Sequence, residues 1–316
     1  MTSRKRPTNV PSQSVGSLAN RPEARRARAR TNLAGYLFVS PALLLFLVFI
    51  AGPLLAAVVL SFYSWDLLTA PHFTGVANFV HLVHDPVLLA SLRNTFVFAL
   101  ASVVSHIGLG MLLALAVNRK MNTIVKYWVR TTFFFPFLIS WAAVSLLWKY
   151  LLDPNMGFLT YYLSTIGIHA PIWLLSPKWS LLSLIGVDWW HTIGYTFVIL
   201  LAGLQTVPHD LHEAAMVDGA GPGRMFWSIT LPLMSPTLFF AMVITFIGAF
   251  QIFDPMYIMT NGGPGDATRS IVMYTYQTAF RSFNVGYGSA IALVVFVVIA
   301  LVTAFQFRMS RRWVFQ

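Results

Sequence analysis

The chain has 316 residues, of which 57% are apolar and only 10% charged; it carries no cysteine and a net charge of +11. Soluble domains carry roughly 25% charged residues, so this composition cannot give two or three soluble domains a charged surface and points to an integral membrane protein. Without cysteine there are no disulfides, thiolate metal sites or cysteine nucleophile.

In chain order, residues 1–33 come first, a tail rich in Pro, Ser, Asn and Arg. It is expected to be disordered, with its arginines near anionic lipid headgroups. Six runs without Asp, Glu, Lys or Arg follow: Thr31–Trp65, Asn94–Asn118, Thr131–Trp148, Trp189–His209, Met225–Phe253 and Ser282–Phe307. Each reaches or approaches the roughly 20 residues that cross about 30 Å of hydrocarbon as a helix. The predicted helical cores are Gly35–Ser61, Thr95–Val117, Val129–Leu152, Ile185–Leu204, Thr237–Ile258 and Ser289–Phe307. The first is expected to be an uncleaved span, because it is too long for a signal peptide and lacks a clear cleavage site. A β-barrel is excluded because Leu138–Trp148 and Ala292–Val302 do not alternate. The expected fold is therefore all-α, with six transmembrane helices over residues 34–308, a cytoplasmic loop at 205–236 and a short tail at 309–316.

The basic residues give the orientation. Sixteen of the 21 Lys and Arg fall in the N-terminal tail, between helices 2 and 3, between helices 4 and 5, and after helix 6. The positive-inside rule puts those segments, and both termini, in the cytoplasm. The charge is thus a topology signal, and no nucleic-acid partner is expected. The outside loops are 62–94, 153–184 and 259–288, and a short interfacial helix is expected near residues 72–92.

Few ionisable groups lie at membrane depth, and such groups are functional candidates. His106 falls near the middle of helix 2 and reads as a neutral histidine bonded between helices. Asp188, beside Trp189 and Trp190, reads as an outer-interface residue where the indole rings anchor the helix. Asp254 falls near the outer end of helix 5, at the mouth of a possible cavity. No phosphate-binding loop, nucleophile elbow or His-Glu-x-x-His pattern occurs. His209 and His212 form only a lone surface cluster with Asp210 and Glu213, and no metal is expected.

The cytoplasmic segment Leu201–Pro236 carries the sharpest pattern. Pro208 can open a two-turn helix over His209–Val217, with Leu211, Ala214, Ala215 and Asp218 on one side. Gly219 is expected to end it at a positive φ. Pro222 starts the next helix, and Pro232 and Pro236 kink the way into helix 5. The result is a helix–Gly–helix elbow facing the cytoplasm.

Here the sequence resembles the permease subunits of bacterial binding-protein-dependent ABC importers. Their cytoplasmic motif is matched by Glu213-Ala214-Ala215, Asp218-Gly219, Ile229 and Leu231-Pro232 with the family's spacing. Further residues resemble the first permease of the maltose, lactose, multiple-sugar and glycerol-3-phosphate type: Gly52-Pro53, Phe253-Asp254, Tyr257, Gly262-Gly263-Pro264-Gly265 and Gly286-Tyr287-Gly288. Unlike the maltose permease, this chain has no additional N-terminal helices and no large external insertion. The resemblance implies a type I ABC importer permease fold and no enzymatic activity in this chain. It implies four kinds of partner: a second homologous permease, two ATP-binding subunits holding ATP and magnesium, an extracytoplasmic solute-binding protein, and the lipid bilayer. It also implies that a sugar or polyol is the solute, that the protein lies in the bacterial cell membrane, and that the elbow couples to the ATPase. Trp141, Phe250, Gln251, Asp254 and Tyr257 are the expected pathway residues, and the turn at 262–265 is expected to shape the external surface.

Overall fold

A computed structural model describes residues 35–119 and 121–314, and every structural statement below concerns those residues. The expected disorder of residues 1–33 lies outside them. The described residues divide into two compact units, with the boundary between residues 56 and 57.

In the first unit, helix α1 begins; it runs Gly35–Leu60. A π turn at Leu47–Ala51 precedes Gly52-Pro53, and the Gly52 N–H bonds back to the Leu47 carbonyl. Pro53 has no N–H, and its ring crowds the preceding turn; the wider turn relieves both problems.

The second unit is almost wholly helical. A two-residue hairpin, β1 (Tyr63–Ser64) with β2 (His72–Phe73), pairs antiparallel. Then come α2 (Ala77–His84), α3 (Pro86–Asn118), α4 (Thr123–Phe134) with a 3-10 turn at Phe135–Leu138, α5 (Trp141–Leu151), α6 (Phe158–Thr165) and α7 (Ser180–Gln205). The remainder is α8 (His209–Val217), α9 (Pro222–Leu233), α10 (Ser235–Phe250), the π turn α11 (Met256–Thr260), α12 (Ile271–Tyr276, continued as a π turn to Arg281) and α13 (Val285–Ser310).

Among the described residues, α1, α3, α7 and α13 are each long and apolar enough to span a membrane. Two further helix pairs are long and apolar enough only when taken together, and both are bent: residues 123–138 with α5, at 98°, and α9 with α10, at 68°. The predicted third helix, Val129–Leu152, is therefore not continuous. Pro136 closes the 3-10 turn, and Ser140 caps the next helix by accepting from the Ala143 N–H at 3.4 Å. The predicted fifth helix stops at Phe250, eight residues short of Ile258, and the chain turns through Gln251–Phe253 before α11. A short helix, α2, lies within the 72–92 stretch where one was expected.

The core is built where α3 packs along α7 and α10. Towards the Asp85 end of α3, Phe98, Leu184, Val187, Phe250 and Met273 form one apolar cluster. Towards the elbow, Met111, Phe197, Leu200, Met234 and Leu238 form another. Along α3 and α7 a polar layer of Ser102, His106, Asp188 and His191, all buried, separates the two.

Asp85 anchors the N-terminal end of α3. Its carboxylate accepts from the Val87 and Leu88 N–H groups at 2.9 and 3.1 Å, which caps the helix. It also accepts from the Tyr274 and Tyr287 hydroxyls, both at 2.5 Å, tying α3 to α12 and α13. Burial opposes its ionisation, but the tyrosine and backbone hydrogen bonds outweigh that and hold its carboxyl below the ordinary 3.8. Burial, then the Asp85 carboxylate, pushes Tyr274 up to about 12. Asp85→Ala strands two phenol groups and two helix N–H groups. It is expected to cost about 3 kcal/mol, because hydrogen bonds to a charged group contribute ~1.5–3 kcal/mol each and a lost cap ~1 kcal/mol. A depressed carboxyl stabilises above its unfolded pKa and loses that contribution as pH falls through the folded one. The difference between wild type and Asp85→Ala in thermal unfolding should therefore be full at pH 7 and shrink below about pH 4.

Candidate functional site: the elbow and the buried cavity

The elbow follows from local sequence. Pro208 precedes α8 in extended conformation, and Asp210 lies in the first turn, where the helix dipole favours an acid. At the other end the Gly219 N–H bonds the Met216 carbonyl at 3.1 Å and the Ala220 N–H bonds the Ala215 carbonyl at 2.9 Å. This is the Schellman closure, which needs a left-handed residue, and Gly219 has φ +75°. Gly221 then caps α9, with Pro222 at its first position. A second π turn, Phe226–Thr230, lies just ahead of Pro232, as the π turn in α1 lies ahead of Pro53. The His212 Nε2 lies 3.0 Å from the Thr230 Oγ1, joining the two arms of the elbow.

Between the arms is a notch of about 240 Å³, lined by Ala215, Asp218, Ala220, Arg224 and Ile229 among others. The structure thus brings Ala215, Asp218 and Ile229 together. Glu213, Ala214 and Gly219 are exposed on the same elbow, while Leu231 and Pro232 lie half-buried at the start of the bend. Leu211, Met216, Val217 and Trp227 are exposed there as well. Large apolar side chains bare of cover beside an acid mark a surface fit to receive another protein.

The second region is a cavity of about 310 Å³ at the polar layer. Its walls come from α3, the break between α4 and α5, α7 and α10. They include His106, Phe137, Trp141, Asp188, Tyr195 and Thr245. The Ser102 Oγ donates to the Asp188 Oδ2 at 2.6 Å. The His106 Nε2 lies 3.2 Å from the same oxygen. The separation is that of an ion pair, but the geometry is not that of an aligned hydrogen bond, and neither ring nitrogen of His106 has a hydrogen-bond partner. Across the cavity Trp141 lies against His191, with ring centroids 4.0 Å apart. The His191 Nε2 in turn lies 2.9 Å from the Ile139 carbonyl, inside the helix break, where the backbone lacks a helical partner. Burial lets such breaks persist only where a side chain satisfies them.

The structure places the five expected pathway residues apart. Trp141 lines the cavity. Phe250 is fully buried in the outer core against Phe96 and Phe246. Gln251 is exposed at the end of α10, and Asp254 is half-buried beyond it. Tyr257 stacks on Phe253, with ring centroids 5.1 Å apart, and its hydroxyl accepts from Arg281. The turn at 262–265 is tight: Gly262 and Gly265 have φ +80° and +54°, and the Thr268 Oγ1 donates to the Gly263 carbonyl at 2.7 Å.

Asp188 corrects the sequence expectation. It does not sit at an outer interface but is 4% exposed, beside His106. The charge-free run starts only at Trp189 and the expected helix at Ile185, which leaves Asp188 in its first turn; the helix begins at Ser180, which puts Asp188 two turns inside. A signal was present: Asp188, His191, Thr192 and Tyr195 recur at spacings of three and four, a polar stripe on one face of an otherwise apolar helix.

Residues 106–314 match the family described as binding-protein-dependent transport system inner membrane component. The chain belongs to this family. It is the permease of an ABC importer, with the type I permease fold. Among curated relatives it is 37% identical to the probable ABC transporter permease protein YesP of Bacillus subtilis, over 95% of this chain and 97% of that one. It is 35% identical to the sn-glycerol-3-phosphate transport system permease protein UgpA of Agrobacterium fabrum, over 86% and 93%. Among solved structures, a bacterial ABC transporter involved in the import of the acidic polysaccharide alginate matches with a TM-score of 0.80 and 24% identity, over 91% of this chain and 98% of that one. This last likeness bears on the fold. The permease is a multi-pass membrane protein, and its relatives are transport subunits rather than enzymes.

Proposed function

We propose that this permease forms, with a second homologous permease, the membrane pathway for a sugar or oligosaccharide. An extracytoplasmic binding protein delivers the solute. Two ATP-binding subunits, holding the ATP and magnesium, drive the cycle, and this chain itself binds no cofactor. The observation that carries the reading is the elbow: Glu213 to Gly219 is a closed helix–turn whose apolar residues stand bare. Glu213 serves as the polar contact to the ATPase, Ala214 and Ala215 as the close-packing face, and Gly219 as the turn. Asp218, Ile229, Leu231 and Pro232 set the second arm. The balance of basic residues supports a cytoplasmic elbow and cytoplasmic termini in a bacterial inner membrane. The turn at 262–265 then faces the binding protein. Gln251, Asp254 and Tyr257, which follow the α10 wall of the cavity in the chain and precede that turn, stand as outer pathway residues.

The likeness to UgpA favours a second reading, glycerol 3-phosphate or another polyol as solute. The cavity speaks against the phosphate, because neither lysine nor arginine lines it.

The test is to purify the tagged permease from membranes that express its natural neighbours. Recovery of a second permease and an ATPase is expected, with ATP hydrolysis raised by the cognate binding protein and a sugar. A chain that comes out alone and moves solute without ATP would make it a secondary carrier and end this reading.

A further inference from the structure

We propose that the buried cavity beside Asp188 and His106 is a charge filter that admits uncharged polyhydroxylated sugar units and rejects phosphorylated, sulfonated or uronic acid sugars. The inference rests on the importer reading and names the substrate class that reading leaves open. Its volume of about 310 Å³ is at the small end of the roughly 300–1,000 Å³ typical of ligand pockets, a size for one or two sugar units.

Three observations point to a ligand of that chemistry. First, the wall offers aromatic faces, Trp141 and the stacked pair Phe137 and Tyr195, whose ring centroids are 4.7 Å apart; pyranose rings present C–H faces to such surfaces. Second, His106 is 1% exposed and lines the cavity; its Nδ1 has no hydrogen-bond partner, and its Nε2 has only the unaligned 3.2 Å approach to Asp188. A buried polar group of this kind needs a partner, and a sugar hydroxyl can both donate and accept. Third, the Asp188 Oδ1 has only a long contact of 3.5 Å, from the Thr192 Oγ1, so it retains capacity to accept from a hydroxyl.

The same groups set the charge preference. The wall holds one acidic side chain, Asp188, and one imidazole, His106, 3.2 Å apart, with neither lysine nor arginine, so no fixed cation faces the cavity. A phosphate or second carboxylate would enter without a cation to meet it. A like charge within several ångströms at an effective dielectric near 20 weakens binding on the order of a hundredfold. A hydroxyl-rich neutral ring instead satisfies Asp188 and His106 together.

The experiment uses the complete complex, the permease with its second permease and ATPase subunits. Equilibrium binding is measured for paired radiolabelled probes: glucose and glucose 6-phosphate, galactose and galacturonate, glycerol and glycerol 3-phosphate. Maltose and trehalose extend the neutral set. In the wild type at least one neutral probe is expected to bind about tenfold or more tighter than its anionic counterpart. Asp188→Asn keeps the side-chain shape and the acceptor for Ser102 but removes the charge, and should narrow that ratio about tenfold. Should the variant fail to assemble, the wild-type ratio alone decides. An anionic probe that binds the wild type as tightly as its neutral partner overturns the filter while leaving the importer intact. If no saccharide binds and none raises ATP hydrolysis with the binding protein present, the sugar reading falls, and the filter with it.

Discussion

Gly219→Val is expected to separate ATP hydrolysis from transport. Space is not the obstacle, because a Cβ built on Gly219 would meet nothing within 4 Å. The obstacle is the backbone. At φ +75° an L-residue is strained by roughly 1–2 kcal/mol, more when β-branched. The chain can relieve that strain by opening the closure made by the Gly219 and Ala220 N–H groups, which changes the angle between α8 and α9. The exposed Met216 and Val217 then no longer stand in fixed relation to Trp227 on the other arm. A penalty of that size shifts the population of the competent elbow by about tenfold. Transport per ATP hydrolysed in proteoliposomes should fall by that factor, with insertion and pairing retained. Gly219→Asn is the control, since asparagine tolerates the left-handed region, and it should keep most of the coupling. A valine variant that transports as much per ATP as the wild type removes the elbow from the coupling path.

Gly194→Ala is expected to do still more damage, and for the opposite reason. Gly194 lies on α7 where that helix crosses the end of α4, and an added Cβ would sit 1.9 Å from the Phe133 carbonyl oxygen and 2.8 Å from the Phe134 Cα. Backbone, not a flexible side chain, stands in the way. Forcing one extra methyl into packed structure typically costs ~1–3 kcal/mol, and here the helix break held by His191 must move too. We expect a loss of at least about 3 kcal/mol, seen as little or no folded permease by size-exclusion chromatography. Gly186→Ala, two turns earlier on α7, meets nothing within 4 Å. It should stabilise the helix by up to ~1 kcal/mol, the ordinary difference in propensity. The same substitution on one helix thus carries opposite signs. Equal behaviour of the two variants would mean that α7 does not approach Phe133 in the folded protein.

The elbow was legible in the sequence because each of its devices is local. Pro208, Gly219 and Pro222 fix backbone geometry at their own positions, so α8 spans His209–Val217 as expected. The long spans were legible because a charge-free run of sufficient length has few other fates in a chain this apolar. The breaks were harder. Val129–Leu152 has the composition of one helix, and only Pro136 with Ser140 hints at the 98° bend; Pro is tolerated inside many membrane helices. The cavity was hardest. Its acid and histidine are 82 positions apart in chain order and meet only because α3 packs on α7. Trp141 and Phe250 carry the same expectation of a pathway residue, yet one lines the cavity and the other is packed in the core, because both are apolar and aromatic and the sequence does not say which way a ring turns.

The 68° bend between α9 and α10 also makes that pair a bell crank. One arm begins at the elbow, where Pro222 follows Gly221. The other is α10, whose 16 residues span roughly 24 Å at 1.5 Å per residue. Ile244, Thr245, Gly248 and Ala249, in its far half, form part of the cavity wall. A rotation of about 10° about the fulcrum at Met234 carries that far end through about 4 Å, more than the diameter of a water molecule. A small swing of the short arm is thereby geared up into a change in the chamber's bore.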